Sequence, residues 1–212
     1  MSGLIPNCVS YDPTYAYEVA VIMHHGMKRM YVDNESVYFY LTVMNENYAH
    51  PELPEGAEEG IIRGIYRLTK SPMASPLKVQ LLGSGTILRE VIKAQHILEE
   101  QYGVSADIWS VTSFTELKRE GQDIERWNRL HPEATPRIPY VAEQLATTTG
   151  PIVAATDYVR EYAESIRPFL PKDKHYAVLG TDGFGRSDTR EQLRHFFEVD
   201  AKSIVLAALK AL

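Results

Sequence analysis

Two carboxylates, an arginine and three glycines crowd into residues 180–188, Gly180-Thr181-Asp182-Gly183-Phe184-Gly185-Arg186-Ser187-Asp188, between the apolar run Tyr176–Leu179 and a helical pattern. Paired carboxylates can separate their pKa values and divide acid from base work, and a polar loop at the carboxyl ends of parallel strands is where open α/β sheets hold ligands. Against this, Asp188 and Glu191 have the spacing of a helix cap, which gives Asp188 a sufficient structural task. A structural turn or an interface loop therefore outweighs a ligand site, and Asp182, Gly183, Gly185, Arg186 and Asp188 form the candidate interface or ligand loop.

Gly83-Ser84-Gly85 also joins a strand-like run to a helical one, where backbone amides can hold an anion. The dinucleotide fingerprint fails because Leu88 stands at its third glycine position, so a tight turn without a ligand is expected. His24, His25, His50, His96, His131, His175 and His195 show no His-Glu-x-x-His spacing, and the single cysteine, Cys8, has no identifiable base. There is no Gly-x-Ser-x-Gly elbow either. Neither metal ligation nor nucleophilic catalysis has support in the sequence.

The elements that must position these residues can be read from periodicity. Asp12-Pro13 has the form of an N-cap and first turn, and Val19, Ile22, Met23, Met27 and Met30 follow at helical spacing to Tyr31, with the methionines expected in the core. Val37, Phe39, Leu41 and Val43 alternate with Tyr38, Tyr40 and Thr42, the period of a strand with two unlike faces. One helix and one strand cannot close a core, so residues up to about Met44 read as the tail of a larger α/β domain. From Asn45 to Pro76, four prolines interrupt the pattern around a short periodic piece, residues 57–68, as an interdomain connection does.

Beyond Pro76, strand-like runs at 79–82, 106–111, 152–155 and 176–179 alternate with helical patterns. Ser113 and Glu116 have capping-box spacing, with Gly121 expected to break any long helix there. Pro139 opens a helix to about Ala146, Asp157 caps one ending near Pro168, and Asp188 and Asp200 cap the last two. Alternating strands and helices demand an α/β fold with a mostly parallel sheet flanked by helices, here preceded by the tail of a second α/β domain.

Composition narrows the function classes. The 212 residues are 44% apolar and 24% charged, enough to bury a core, and the net charge of -6 offers no electrostatic footprint for nucleic acid. No apolar stretch is long enough for a membrane span, and the start lacks a signal peptide's regions, so a cytoplasmic protein is expected. Both ends read as cut from something longer, since the last helical pattern reaches Leu212 without a glycine cap.

A family resemblance runs through nearly the whole chain. It is carried by Ile5-Pro6-Asn7-Cys8-Val9-Ser10-Tyr11-Asp12-Pro13, Asn45-Glu46-Asn47-Tyr48, Pro54-Glu55-Gly56-Ala57-Glu58-Glu59-Gly60, Leu81-Leu82-Gly83-Ser84-Gly85, residues 108–117, Glu125-Arg126-Trp127-Asn128 and residues 180–200. These resemble the carboxyl-terminal part of the homodimeric, bacterial-type pyruvate dehydrogenase E1 family, within the thiamine-diphosphate-dependent transketolase-like superfamily. The resemblance implies that residues 1 to about 75 are the end of the pyrimidine-binding middle domain with its connection, and that 76–212 are a transketolase C-terminal-like domain.

It further implies an intact enzyme that decarboxylates pyruvate on thiamine diphosphate with magnesium and reductively acetylates the lipoyl group of the E2 acetyltransferase, its partners being that protein and a second E1 subunit. Gly180-Thr181-Asp182-Gly183 only imitates the family's Gly-Asp-Gly cofactor motif and lacks its closing asparagines. The family's activating glutamate and substrate-contacting histidines lie upstream of Ile5. The resemblance thus assigns no catalytic, cofactor or metal residue to this chain, which is expected to bind no cofactor and to be structural, interfacial and inactive alone. Two alternatives stand beside it: a free-standing ligand-binding or regulatory α/β module sited on 180–188, and the equivalent part of transketolase or a related thiamine enzyme, against which Glu125-Arg126-Trp127-Asn128 argues.

Overall fold

The computed structural model describes residues 2–212. Two sheets organise it. The smaller pairs β1 (Cys8–Tyr11) with β2 (Tyr38–Leu41) in parallel, the connection being α1 (Ala16–Met27) and a π-helical turn, Lys28–Val32. After α2 (Glu58–Arg63) come β3 (Tyr66–Thr69), β4 (Lys78–Gly83), α3 (Leu88–Tyr102), β5 (Ser105–Ser110), α4 (Phe114–Leu130), α5 (Tyr140–Ala146), β6 (Ile152–Ala155), α6 (Arg160–Glu164), β7 (Tyr176–Leu179), α7 (Arg190–Phe196) and α8 (Ala201–Ala211). The larger sheet has the order β3-β5-β4-β6-β7, with β3 antiparallel and the rest parallel.

Both faces of this sheet are covered, as a parallel sheet requires. Val79 and Leu81 of β4 pack with Leu88, Val91 and Leu98 of α3 and Ile204 and Ala208 of α8, while Leu82 turns to the opposite layer with Trp109, Phe114, Leu117, Val141 and Phe169. Each large aliphatic side chain buried in this way contributes roughly 1.5–3 kcal/mol. Gln80, on the same face as Leu82, is buried with both ends satisfied: its Oε1 accepts from Trp109 Nε1 at 2.8 Å and its Nε2 donates to the Thr149 carbonyl at 3.1 Å.

Several local expectations are corrected. Gly121 does not end a helix: α4 runs 17 residues through it, because a Cβ there would stand 2.4 Å from the Phe169 ring and glycine lets that ring close onto the helix. Ser113 does cap α4, accepting from the Glu116 amide at 3.0 Å, but the Glu116 carboxylate pairs with Arg119 instead of closing a box. Asp12 does not cap α1. The buried Glu18 does, taking the amides of Thr14 at 2.5 Å and Tyr15 at 2.9 Å, and it also accepts from the hydroxyls of Tyr66 and Ser110 at 2.7 and 2.6 Å.

The buried stripe of α1 is Glu18, Ile22 and Gly26, so Met23 and Met27 face outward and remain about half exposed. Their helix is rotated by one position from the core-methionine expectation. Gly26 receives the Phe39 ring at 3.0 Å from where its Cβ would be, and this close approach sets the rotation. Asp157 does not cap α6, which begins at Arg160. Within the stretch read as a connection, β3 pairs with β5 as an edge strand of the larger sheet.

Candidate functional site

The carboxyl ends of β4, β6 and β7 open toward a cleft of about 700 Å³ bounded by the 180–188 loop, α7 and the segment 43–46. Two loops form its outer wall and are tied together. Thr181 donates its amide to the Tyr158 carbonyl at 2.8 Å and its hydroxyl to the Asp157 carbonyl at 2.6 Å. Gly180 allows this approach, since a Cβ there would lie 2.6 Å from the Tyr158 oxygen. Asp182 accepts from the Arg160 amide at 2.9 Å and from its Nε at 2.5 Å. The amide and guanidinium of Arg160 hold the Asp182 carboxyl below its ordinary range, so it stays ionised and is a poor general acid.

Gly183, Gly185 and Arg186 line the cleft, and Arg186 lies 5.4 Å from the centre of the Phe196 ring. Asp188 is turned away to accept the neighbouring Thr189 amide at 2.7 Å. It is not the cap of α7. Thr189 is, its hydroxyl accepting from the Gln192 amide at 3.3 Å, because the helix begins one residue later than the Asp188 spacing predicts. The loop thus brings Gly183, Gly185 and Arg186 together at the cleft and commits Asp182 and Asp188 to backbone and ion-pair contacts.

The inner wall is an arginine network around Glu46. Arg194 reaches Glu46 at 3.3 Å, Glu90 at 3.2 Å and the Thr86 hydroxyl at 2.7 Å; Arg190 reaches Glu46 at 3.7 Å and Asn45 Oδ1 at 2.5 Å; Arg89 completes the set. Burial alone would raise the Glu46 pKa, but the guanidinium groups of Arg89 and Arg194 outweigh it and hold the carboxyl below its ordinary value. A second hub is buried Asp12, which accepts from Thr42 Oγ1 at 2.7 Å, the Tyr158 hydroxyl at 2.8 Å and the Tyr162 hydroxyl at 2.7 Å. It joins the end of β1 to the β6–α6 region.

Asp182, the acid of the Gly-Asp-Gly imitation, is tied to Arg160, and among the described residues no three His, Cys, Asp or Glu side chains gather as a metal would require. Gly83-Ser84-Gly85 spends its groups on packing: the Gly85 amide donates to the Asp12 carbonyl at 3.0 Å and its carbonyl accepts from Thr14 at 2.7 Å.

Against this geometry, residues 64–200 match the transketolase-like C-terminal domain and residues 1–51 match the pyruvate dehydrogenase E1 component middle domain. The chain belongs to the transketolase-like C-terminal domain family. Among curated relatives of this family member, the pyruvate dehydrogenase E1 component of Cupriavidus necator is 60% identical over 209 residues, 98% of this chain and 23% of the relative. That of Escherichia coli K12 is 61% identical over 206 residues, 97% of this chain and again 23% of the relative. The chain therefore spans about a quarter of the length of these relatives. Among solved structures, transketolase from Campylobacter jejuni superposes with a TM-score of 0.66 at 16% identity, over 99% of this chain and 27% of that one, a likeness of fold alone.

Sequence reasoning missed both hubs. Asn45-Glu46 appeared only as a family string, although Arg190 and Arg194, four apart on a helix, signal one face able to grip a carboxylate. Asp12 was given to the wrong task because Asp-Pro before a helical pattern imitates a cap.

Proposed function

We propose that this chain supplies the end of the middle domain and most of the third domain of a bacterial-type pyruvate dehydrogenase E1, and that it packs and braces the enzyme instead of performing its chemistry. The carrying observation is identity of 60–61% to E1 components across 97–98% of the chain, including its irregular loops. The two family spans, 1–51 and 64–200, and the pairing of β3 with β5 favour a boundary before Tyr66, earlier than the division near residue 75 that the sequence suggests. The hubs at Asp12 and Glu46 suit a bracing role, since each ties the first span to the second.

On this reading the intact enzyme decarboxylates pyruvate with thiamine diphosphate and magnesium and passes the acetyl unit to the lipoyl group of an E2 acetyltransferase. It works as a homodimer in the cytoplasm. The cofactor's own electronics carry that reaction, and the protein supplies position and electrostatics. The reading is tested by replacing the matching quarter of the Escherichia coli relative with this chain and assaying pyruvate-dependent acetyl transfer. The chimera is expected to keep most of the activity. A folded, dimeric chimera without activity would overturn the assignment.

A further inference from the structure

One guanidinium in the cleft is left over from the bracing network. Arg89, Arg190 and Arg194 are spent on Glu46, Glu90 and Asn45, whereas Arg186 makes no hydrogen bond or ion pair among the described residues and rests only against the Phe196 ring. Gly183 and Gly185 line the same wall, and the amides of residues 183–187 donate to no protein acceptor among the described residues, with Gly183 turned to φ +89°. Glu46 is neutralised by its arginines, so Asp157 is the remaining acid on the lining. The wall carries donors without protein acceptors and few carboxylates, at the end of the sheet where α/β folds hold ligands. Its volume of about 700 Å³ is in the range of small-molecule sites and exceeds what a bare ion fills.

We propose that this cleft binds the phosphate group of a small phosphorylated molecule, with the Arg186 guanidinium and the amides of the 183–187 turn as donors. The site stands on these residues alone and does not depend on the E1 assignment. A planar fork is suited to two phosphate oxygens at once, which a lysine at the same place would reach only as a point charge. No group of three His, Cys, Asp or Glu side chains gathers among the described residues, so the donors of the turn are what would hold the phosphate.

The test uses the 212-residue chain. Its melting midpoint is followed against inorganic phosphate and against glycerol 2-phosphate, each compared with chloride at equal ionic strength, and the series is repeated with Arg186→Ala and Arg186→Lys. Both probes are expected to raise the midpoint saturably, with EDTA having no effect. A tighter fit for glycerol 2-phosphate marks an organic phosphate as the occupant, and equal affinity marks free phosphate. Arg186→Ala should weaken binding by about tenfold or more, the loss of a charge-assisted pair, and Arg186→Lys by less. Should Arg186→Ala melt early without any ligand, the Lys variant carries the comparison. No rise beyond chloride, or the same rise in both variants as in the parent, overturns the proposal.

Discussion

Removing the Asp12 carboxylate should be among the most damaging single changes in the molecule. Asp12 is 5% exposed and accepts three hydroxyl hydrogen bonds, from residues 30, 146 and 150 positions away. Hydrogen bonds to a charged group contribute roughly 1.5–3 kcal/mol each. Tyr158 is 39% exposed, so water can replace Asp12 at its hydroxyl and that bond counts for little; Thr42 and the more enclosed Tyr162 carry most of the effect. Burial, and then the Asp12 charge, push both tyrosine hydroxyls up, so they remain protonated donors at working pH. Asp12→Ala should therefore cost about 3–5 kcal/mol, the loss of two charge-assisted hydrogen bonds of that size. Asp12→Asn, which keeps the shape and part of the accepting capacity, should cost less. Urea melts would give these values, and a double-mutant cycle with Tyr162→Phe should return a coupling of about 1–2 kcal/mol. A loss under about 1 kcal/mol for Asp12→Ala, or no coupling to Tyr162, would refute the hub.

The capping correction separates two neighbours: Thr189→Ala should lose about 1 kcal/mol while Asp188→Ala loses almost nothing, and denaturant melts of the pair would show the reverse if Asp188 were the cap. Gly121→Ala should destabilise by about 1–3 kcal/mol despite alanine's better helix propensity, because the Phe169 ring must move; a stabilised variant would deny that contact. Glu46 supplies a pH signature. Its folded pKa lies below the ordinary 4.5, so its contribution is fully present above that value and fades as pH falls through the folded one. The stability gap between the parent and Glu46→Gln should close on acidification below 4.5, and a gap independent of pH would remove the ion pairs from the account.

The fold was legible because its signals were local. Four apolar runs became β4 to β7 within a residue or two, and Ser113 and Asp200 cap where their spacing says, the latter accepting from the Ser203 amide at 2.9 Å. What failed depended on distant partners. Gly121 looks like a breaker until Phe169, 48 positions on, is seen to occupy its missing side chain. Met23 and Met27 have core spacing, yet the ring of Phe39 claims the face centred on Gly26. Of the candidate loop, its position over the strand ends was readable and its internal commitments were not, since nothing near Asp182 in sequence announces Arg160. β3 was lost in a proline-rich stretch because a short antiparallel edge strand, Tyr66–Thr69, carries little periodicity of its own.

The central claim is that the cofactor machinery lies outside these residues. Titration calorimetry of the chain with thiamine diphosphate and magnesium tests it most directly, with the same titration in EDTA as reference. The account predicts no magnesium-dependent heat, because Asp182 is committed to Arg160 and no acidic cluster is available among the described residues. Stoichiometric, magnesium-dependent binding at low micromolar affinity would contradict it.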